Sequence, residues 1–331
     1  MSSSPLPEAV FAMDPVHLSG LFPAPLMSRL RSLVRIDPGF VARDLADPTL
    51  AGTEALITGW GCPPLDEAAL AAMPRLRTVL HAAGSVRHLV SDTFWRRGLT
   101  ISSAAQANAL PVAEYTLGAI LLAGKDAFTW SRRYQEEHRY PTAADSAALG
   151  NHGRRVGVIG ASRVGRRVLD LLRPFDLRVA LYDPYVTDAA ALGAVPLPLD
   201  DLLRGSDIIT LHAPDTPETH RMLDRDRLAL IPDGGVLINT ARGNLIDHDA
   251  LTDELASGRI SAVLDVTVPE PLPAGHPLYG LPNVFLTPHI AGSLGNELER
   301  LGRCVVEELE RFTAGLPLAH QVRPVDLATS A

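Results

Sequence analysis

In the second half of the chain, short apolar runs alternate with stretches whose apolar residues recur at helical spacing. Residues 156–159 (VGVI) form such a run and read as a buried parallel strand. A tight turn follows, Gly160-Ala161-Ser162-Arg163-Val164-Gly165, and then Val164, Val168, Leu171 and Leu172 mark one face of a helix that Pro174 stops. Residues 177–182 (LRVALY) are the next strand, and Asp183 ends it. Further strands are expected at 206–212 (SDIITLH), 235–240 (GVLINT), 260–266 (ISAVLDV) and 284–287 (VFLT). The first hundred residues carry the same alternation more faintly. Residues 55–58 and 78–80 read as strands and 66–73 as a helix, each punctuated by Pro or Gly. The pattern is that of an α/β protein with doubly wound parallel sheets.

Between these halves, residues 111–122 (PVAEYTLGAILL) predict a long, mostly apolar helix with Pro111 near its first turn, buried between domains or in a subunit interface. Residues 124–153 lose apolar periodicity and gain charges and aromatics. They read as a helix with an irregular surface crossing and a candidate dimer contact.

Composition narrows the class. A length of 331 residues suggests about two domains with a sizeable core. Hydrophobic content of 46% and a mean hydropathy of +0.10 fit a soluble protein. No run approaches the roughly 18 apolar residues of a membrane span. The N-terminus lacks a basic stretch ahead of an apolar one, so no secretory signal is expected, and its first few residues read as a disordered tail. Cys62 and Cys304 have neither metal nor redox spacing, so no metal is expected, and free thiols in a reducing cytoplasm are. Net charge is −8 without a basic run, which argues against nucleic acid as a partner. Of 30 basic residues only Lys125 is lysine, and it stands in no motif, which sets Schiff-base chemistry aside. A codon bias toward arginine and alanine is the favoured reading of the imbalance, with an anion-handling surface as the alternative.

Strand, glycine turn, helix, strand and then an acid is the layout of a dinucleotide-binding βαβ unit. Gly160 allows the sharp turn and Gly165 lets the helix pack close to the strand. The helix start at Ser162, Arg163 and Val164 offers N–H groups to a pyrophosphate. Asp183 is suited to the adenosine ribose, and its charge favours NAD over NADP. The middle glycine of the usual motif is Ser162 here, which puts the tightness of pyrophosphate binding in question. A βαβ turn without a ligand is the alternative reading.

Ligands of doubly wound sheets bind beyond the carboxyl ends of the strands. That edge should gather Asp183, His212, Arg242, Asp265 and His289. His212, Ala213, Pro214, Thr240, Ala241 and Asp265 thereby join Gly160, Ser162, Arg163, Val164, Gly165 and Asp183 as candidate cofactor contacts. In the first domain, residues 81–86 (HAAGSV) form a small-residue loop after a strand. Exposed backbone N–H groups in this loop are suited to hold a carboxylate, a plain strand–helix turn being the alternative. Arg242 has the planar fork that grips a carboxylate in two bonds. His289 shuttles a proton near neutral pH, and Glu270, between Pro269 and Pro271, is placed to fix the imidazole and stabilise its protonated form. With NAD, this set points to hydride transfer coupled to proton transfer on a 2-oxo or 2-hydroxy acid. Each residue taken alone also has a duller reading as a surface or loop residue.

Residues 211–223 (LHAPDTPETHRML), 238–251 (INTARGNLIDHDAL) and 264–292 (LDVTVPEPLPAGHPLYGLPNVFLTPHIAG) closely resemble the D-isomer-specific 2-hydroxyacid dehydrogenase family. The likeness runs from about Thr78 to Gly292, tighter after Ser206, and PVAEY at 111–115 looks like the family's entry into its nucleotide domain. The resemblance implies two Rossmann-like domains: a discontinuous substrate domain, 1–104 with 296–331, and an inserted NAD-binding domain, 105–295, with the active site in the cleft. It implies Arg242 as the carboxylate anchor, His289 as acid and base with Glu270 as partner, and Asp265 at the nicotinamide end of NAD. Gly84, Ser85, Arg242 and His289 are then the substrate contacts, and a homodimer is implied.

Two departures stand out beside Ser162. Arg87 stands where the family often has an acid, and Ser85 where it often has glycine, so no member's substrate label transfers. The chain ends about 40 residues after His289, so no C-terminal regulatory domain is expected. The leading expectation is an NAD-dependent oxidoreductase for a small 2-oxo acid and its D-2-hydroxy acid. An NADPH-linked glyoxylate or hydroxypyruvate reductase and a NAD-sensing, corepressor-like protein are the alternatives. Asp183 disfavours the first, and the joint presence of Arg242, Glu270 and His289 disfavours the second.

Overall fold

The computed structural model describes residues 5–147 and 149–327. The expected tail at the very N-terminus lies largely outside them. Contacts divide the chain into two compact units, one running to Asn108 and resuming at Ser293, the other spanning Ala109–Gly292.

In the first unit, strands β1 (Ala9–Ala12), β2 (Ala55–Thr58), β3 (Thr78–His81) and β4 (Thr100–Ser103) lie parallel in that order. The short strand Gln321–Val322 closes the sheet antiparallel to β4, so this sheet is mixed rather than wholly parallel. Successive residues face opposite cores, as strand geometry requires. Ala9, Phe11, Ile57 and Leu80 pack on one side with the helix Leu298–Thr313, while Val10, Ala12, Leu56, Val79 and Ile101 pack on the other. Gly302 is what lets that helix close in, because a Cβ there would lie 1.8 Å from the Leu21 carbonyl oxygen.

The second unit is a seven-stranded parallel sheet. Its strands are β5 (Arg155–Ile159), β6 (Arg178–Tyr182), β7 (Val195–Pro196), β8 (Ile208–Leu211), β9 (Val236–Asn239), β10 (Ser261–Leu264) and β11 (Val284–Leu286). Their spatial order is β11-β10-β9-β8-β5-β6-β7, so the direction of winding reverses between β5 and β8. Both faces are covered, with Val156, Val158, Ile238 and Val263 in one core and Ile159, Leu211, Leu237 and Leu264 in the other.

The expected strands are present: 55–58 keeps its bounds, 78–80 and 156–159 each gain a residue, and the five later ones are shorter. Asp207 leaves the strand to receive the Arg155 N–H at 2.9 Å and its guanidinium at 2.6 Å. The helix expected from Pro111 begins earlier, as Ala105–Ala123, with Pro111 in its interior. The six residues ahead of Pro111 favour helix, and proline at this place removes one backbone donor without ending the run. The helix Ala127–Glu137 follows and buries no residue fully. It is held to β11 by Phe128 stacked on Phe285, with ring centroids 4.2 Å apart, and by Arg132 donating to the Leu281 carbonyl at 2.9 Å.

Candidate active site

The glycine turn sits at the reversal point of the seven-stranded sheet. Gly160 has φ of +94°, and a Cβ there would lie 2.6 Å from the Ala213 nitrogen, so no other residue fits. A Cβ at Gly165 would lie 2.0 Å from the Gly160 carbonyl oxygen. Ser162 has ordinary extended backbone, φ −63° and ψ −176°, and needs no glycine. Its hydroxyl caps the helix Arg163–Leu172 by accepting from the Gly165 N–H at 3.4 Å. The N–H groups of Ser162, Arg163 and Val164 have no partner among the described residues. Free donors at the start of a ten-residue helix, beside a turn only glycine can make, fit a pyrophosphate.

Asp183, at the end of β6, accepts from the Ala161 N–H at 2.7 Å and the Tyr185 N–H at 2.8 Å. The carboxylate is thus pinned beside the turn, and its remaining lone pairs suit ribose hydroxyls. His212 is nearly buried, and its Nε2 lies 3.0 Å from the Thr210 hydroxyl. Burial pushes the ring down to about 3, so it is neutral near pH 7. Its backbone N–H bonds to Ile159, tying the Ala213-Pro214 turn to the glycine turn.

At the end of β9 a buried asparagine shapes the turn that presents Arg242. Asn239 accepts from the Ala241 N–H at 3.0 Å and donates to the Arg242 carbonyl at 2.9 Å. Thr240 shares a buried 2.9 Å hydroxyl contact with Thr116. The half-buried Arg242 side chain also donates to the Ala241 carbonyl at 2.6 Å. A Cβ at Gly243 would lie 2.4 Å from the Thr267 carbonyl oxygen. That close approach brings the Arg242 turn onto the segment leading to Glu270.

Asp265 follows β10 and is 1% exposed. One of its oxygens accepts from the Thr287 hydroxyl at 2.6 Å and the Ile290 N–H at 2.8 Å, and the other from the Ala291 N–H at 2.9 Å. Tyr115, in the PVAEY segment, donates in turn to the Thr287 hydroxyl at 2.8 Å. These bonds fold the loop after β11 back on itself and hold His289 at φ +54°, a backbone region rarely used by residues with side chains. The ring Nδ1 then meets Glu270 Oε1 at 2.7 Å. The side chains are 52% and 41% exposed, so His289 Nε2 remains open to a ligand. A cavity of about 550 Å³ is lined in part by Glu270, Arg132, Thr267, Tyr279 and Thr287, and by neither Arg242 nor His289.

Gly84 and Ser85 belong to the first unit, in the loop after β3. Their N–H groups, and that of Val86, have no partner among the described residues. Arg87 is turned onto the Leu327 carbonyl. Sequence reasoning did not anticipate the roles of Tyr115, Thr287, Asn239 and the Ser162 cap. A buried asparagine ending an apolar strand was the available signal for one of them.

Residues 117–291, more than half of the chain, match the model of the D-isomer specific 2-hydroxyacid dehydrogenase NAD binding domain. The chain belongs to the D-isomer-specific 2-hydroxyacid dehydrogenase family. Among its relatives within that family, a D-3-phosphoglycerate dehydrogenase of Mycobacterium bovis is 35% identical over 254 residues, covering 76% of this chain and 48% of that protein. A glyoxylate reductase of Korarchaeum cryptofilum is 30% identical over 258 residues, covering 76% and 77%. The crystal structure of the D-lactate dehydrogenase of Aquifex aeolicus complexed with NAD and lactic acid aligns with a TM-score of 0.72 at 27% identity, covering 93% of this chain and 96% of that one. The chain spans about half the length of the phosphoglycerate dehydrogenases it matches.

Proposed function

We propose that the chain is an NAD-dependent oxidoreductase that interconverts a small 2-oxo acid and its D-2-hydroxy acid. The observation that carries this reading is the His289–Glu270 pair at 2.7 Å, presented on a backbone held in the left-handed region by Asp265. When bound, NADH supplies the hydride. Ser162, Arg163 and Val164 would receive its pyrophosphate and Asp183 its adenosine ribose, with Asp265 as a contact for its nicotinamide end. Arg242 and the N–H groups of Gly84 and Ser85 hold the substrate carboxylate and so orient the neighbouring carbonyl. His289 Nε2 gives its proton to the carbonyl oxygen as negative charge develops there, while Glu270 fixes the ring through Nδ1. In the reverse direction the neutral ring takes the hydroxyl proton.

In this reading the first unit is the substrate domain and the second the nucleotide domain. The enzyme works in the cytoplasm as a homodimer whose contact includes the exposed helix Ala127–Glu137. A glyoxylate or hydroxypyruvate reductase is the second reading for substrate, favoured by the glyoxylate reductase relative. Asp183 speaks against its NADPH-linked form, because a 2′-phosphate would meet a carboxylate already fixed at that place. The test is turnover of 2-oxo acids by the wild type with NADH, and its loss in His289→Ala.

A further inference from the structure

The helix Ala105–Ala123 puts Ala113, Ala119, Ile120 and Ala123 into a core of the second unit, together with Val156, Ile238 and Val263 of the sheet. Burial of apolar surface accounts for those residues. It does not account for Tyr115 and Thr116, which carry hydroxyls to the ends of two strands. Thr116 is fully buried, and its hydroxyl gives its one hydrogen to the Val112 carbonyl at 2.8 Å. It therefore accepts from the Thr240 hydroxyl, which lies 2.9 Å away just after β9. The half-buried Tyr115 reaches the Thr287 hydroxyl at 2.8 Å, just after β11. Thr287 gives its own hydrogen to Asp265 at 2.6 Å, so Tyr115 is the donor. Burial raises the phenol above its ordinary value, which keeps it a donor through the neutral range.

The loop that Thr287 opens is the strained one. A residue with a side chain persists at φ +54°, as His289 does, only where its surroundings over-determine it. The Thr287 N–H bonds to the Leu264 carbonyl at 2.9 Å and the His289 N–H to the Asp265 carbonyl at 3.0 Å. The Ile290 and Ala291 N–H groups bond to the Asp265 carboxylate at 2.8 and 2.9 Å. Those last two bonds hold the loop only as firmly as the Asp265 side chain is itself held. The Thr287 hydroxyl fixes that side chain from within the sheet. Tyr115, from a helix anchored in the core, directs the hydroxyl toward the carboxylate by occupying one of its lone pairs.

We propose that Tyr115 is a positioning residue for His289, acting through Thr287 and Asp265 on the backbone that presents the imidazole. This rests on the functional reading above. The test is steady-state kinetics of the full chain with NADH and a 2-oxo acid reduced by the wild type, with rates expressed per NADH-binding site. The variants are Tyr115→Phe, Thr287→Val, Thr287→Ser and the double variant Tyr115→Phe/Thr287→Val. Phenylalanine keeps the ring and its packing and removes only the hydroxyl. Tyr115→Phe should lower kcat about tenfold, with both KM values within about twofold of wild type. Its solvent isotope effect on kcat should rise, because a displaced imidazole slows proton transfer. Thr287→Val should lower kcat at least as much, and Thr287→Ser, which keeps a hydroxyl, should restore most of it. The double variant should be no slower than Thr287→Val, since the tyrosine acts through that hydroxyl.

A tyrosine that merely supports the fold would lower the number of NADH-binding sites and leave kcat per site and the isotope effect in place, and that result overturns the proposal. A double variant slower than Thr287→Val by the full effect of Tyr115→Phe overturns it as well. Should Thr287→Val not fold, Tyr115→Phe alone decides. A wild type that binds NADH and reduces no 2-oxo acid defeats the functional reading and this proposal together. A wild type that turns over while Tyr115→Phe keeps its kcat defeats only the assignment of Tyr115.

Discussion

His289 illustrates how a few buried donors and one carboxylate set the geometry of an exposed group. Its positive φ is strained for a residue with a side chain, and the bonds from Thr287, Ile290 and Ala291 to Asp265 are what hold the loop. Arg242 is set differently, by an asparagine that braces its turn from beneath. The proposed role of Arg242 depends on a planar fork, which lysine lacks. Arg242→Lys should therefore raise KM for the oxo acid by about 10- to 100-fold, the range for a lost hydrogen bond to a charged group, and leave the KM for NADH unchanged. Equal KM values for wild type and variant would remove Arg242 from carboxylate binding. Arg242, Glu270 and His289 could be singled out in the sequence because their side chains suit the chemistry and their segments carry a family resemblance. The bracing residues could not. Tyr115, Thr287 and Asn239 act through contacts between segments distant in sequence, and no local pattern encodes such a contact.

At the level of elements, the glycine turn and its helix show where sequence reasoning misjudged a substitution. Ser162 reads as a defect in a glycine motif, yet its backbone is extended and its hydroxyl caps the helix that follows. The position is better described as a helix N-cap, where serine is among the preferred residues. Ser162→Ala should cost about 1 kcal/mol of stability and Ser162→Gly only a few tenths, measured by urea unfolding. A stabilised Ser162→Ala would show that the cap contributes nothing. The strands were readable because parallel strands buried on both faces are continuous apolar runs. The start of the helix Ala105–Ala123 was not, because Pro111 was taken as a beginning when the better helix formers ahead of it extend the element backward.

Across the whole molecule, each unit carries one buried neutral histidine at a strand end, His81 in the first and His212 in the second. Burial lowers both rings from 6.5 to about 3. Between those values the unfolded chain binds a proton that the folded chain excludes, so this stability is complete above about pH 6.5 and is lost as pH falls. Each ring should contribute a slope of about 1.4 kcal/mol per pH unit across that window. His212→Gln or His81→Gln should flatten the pH dependence of urea unfolding by that amount. An unchanged slope would mean that the rings take up protons while folded. Neither the burial nor its consequence was visible in the sequence, where His212 stood out only as a strand-end residue and His81 only as the start of a loop.

The most direct test of the account is the loss of NADH absorbance with a panel of 2-oxo acids that includes glyoxylate, hydroxypyruvate, pyruvate and phenylpyruvate. Wild type and His289→Ala would be run side by side, with cofactor binding measured separately. The account predicts that the wild type reduces at least one of these acids with NADH. It also predicts that His289→Ala binds NADH as well as the wild type does and turns over about 10²- to 10⁴-fold more slowly. A wild type that binds NADH and reduces none of them, or a His289→Ala variant as fast as wild type, would contradict it.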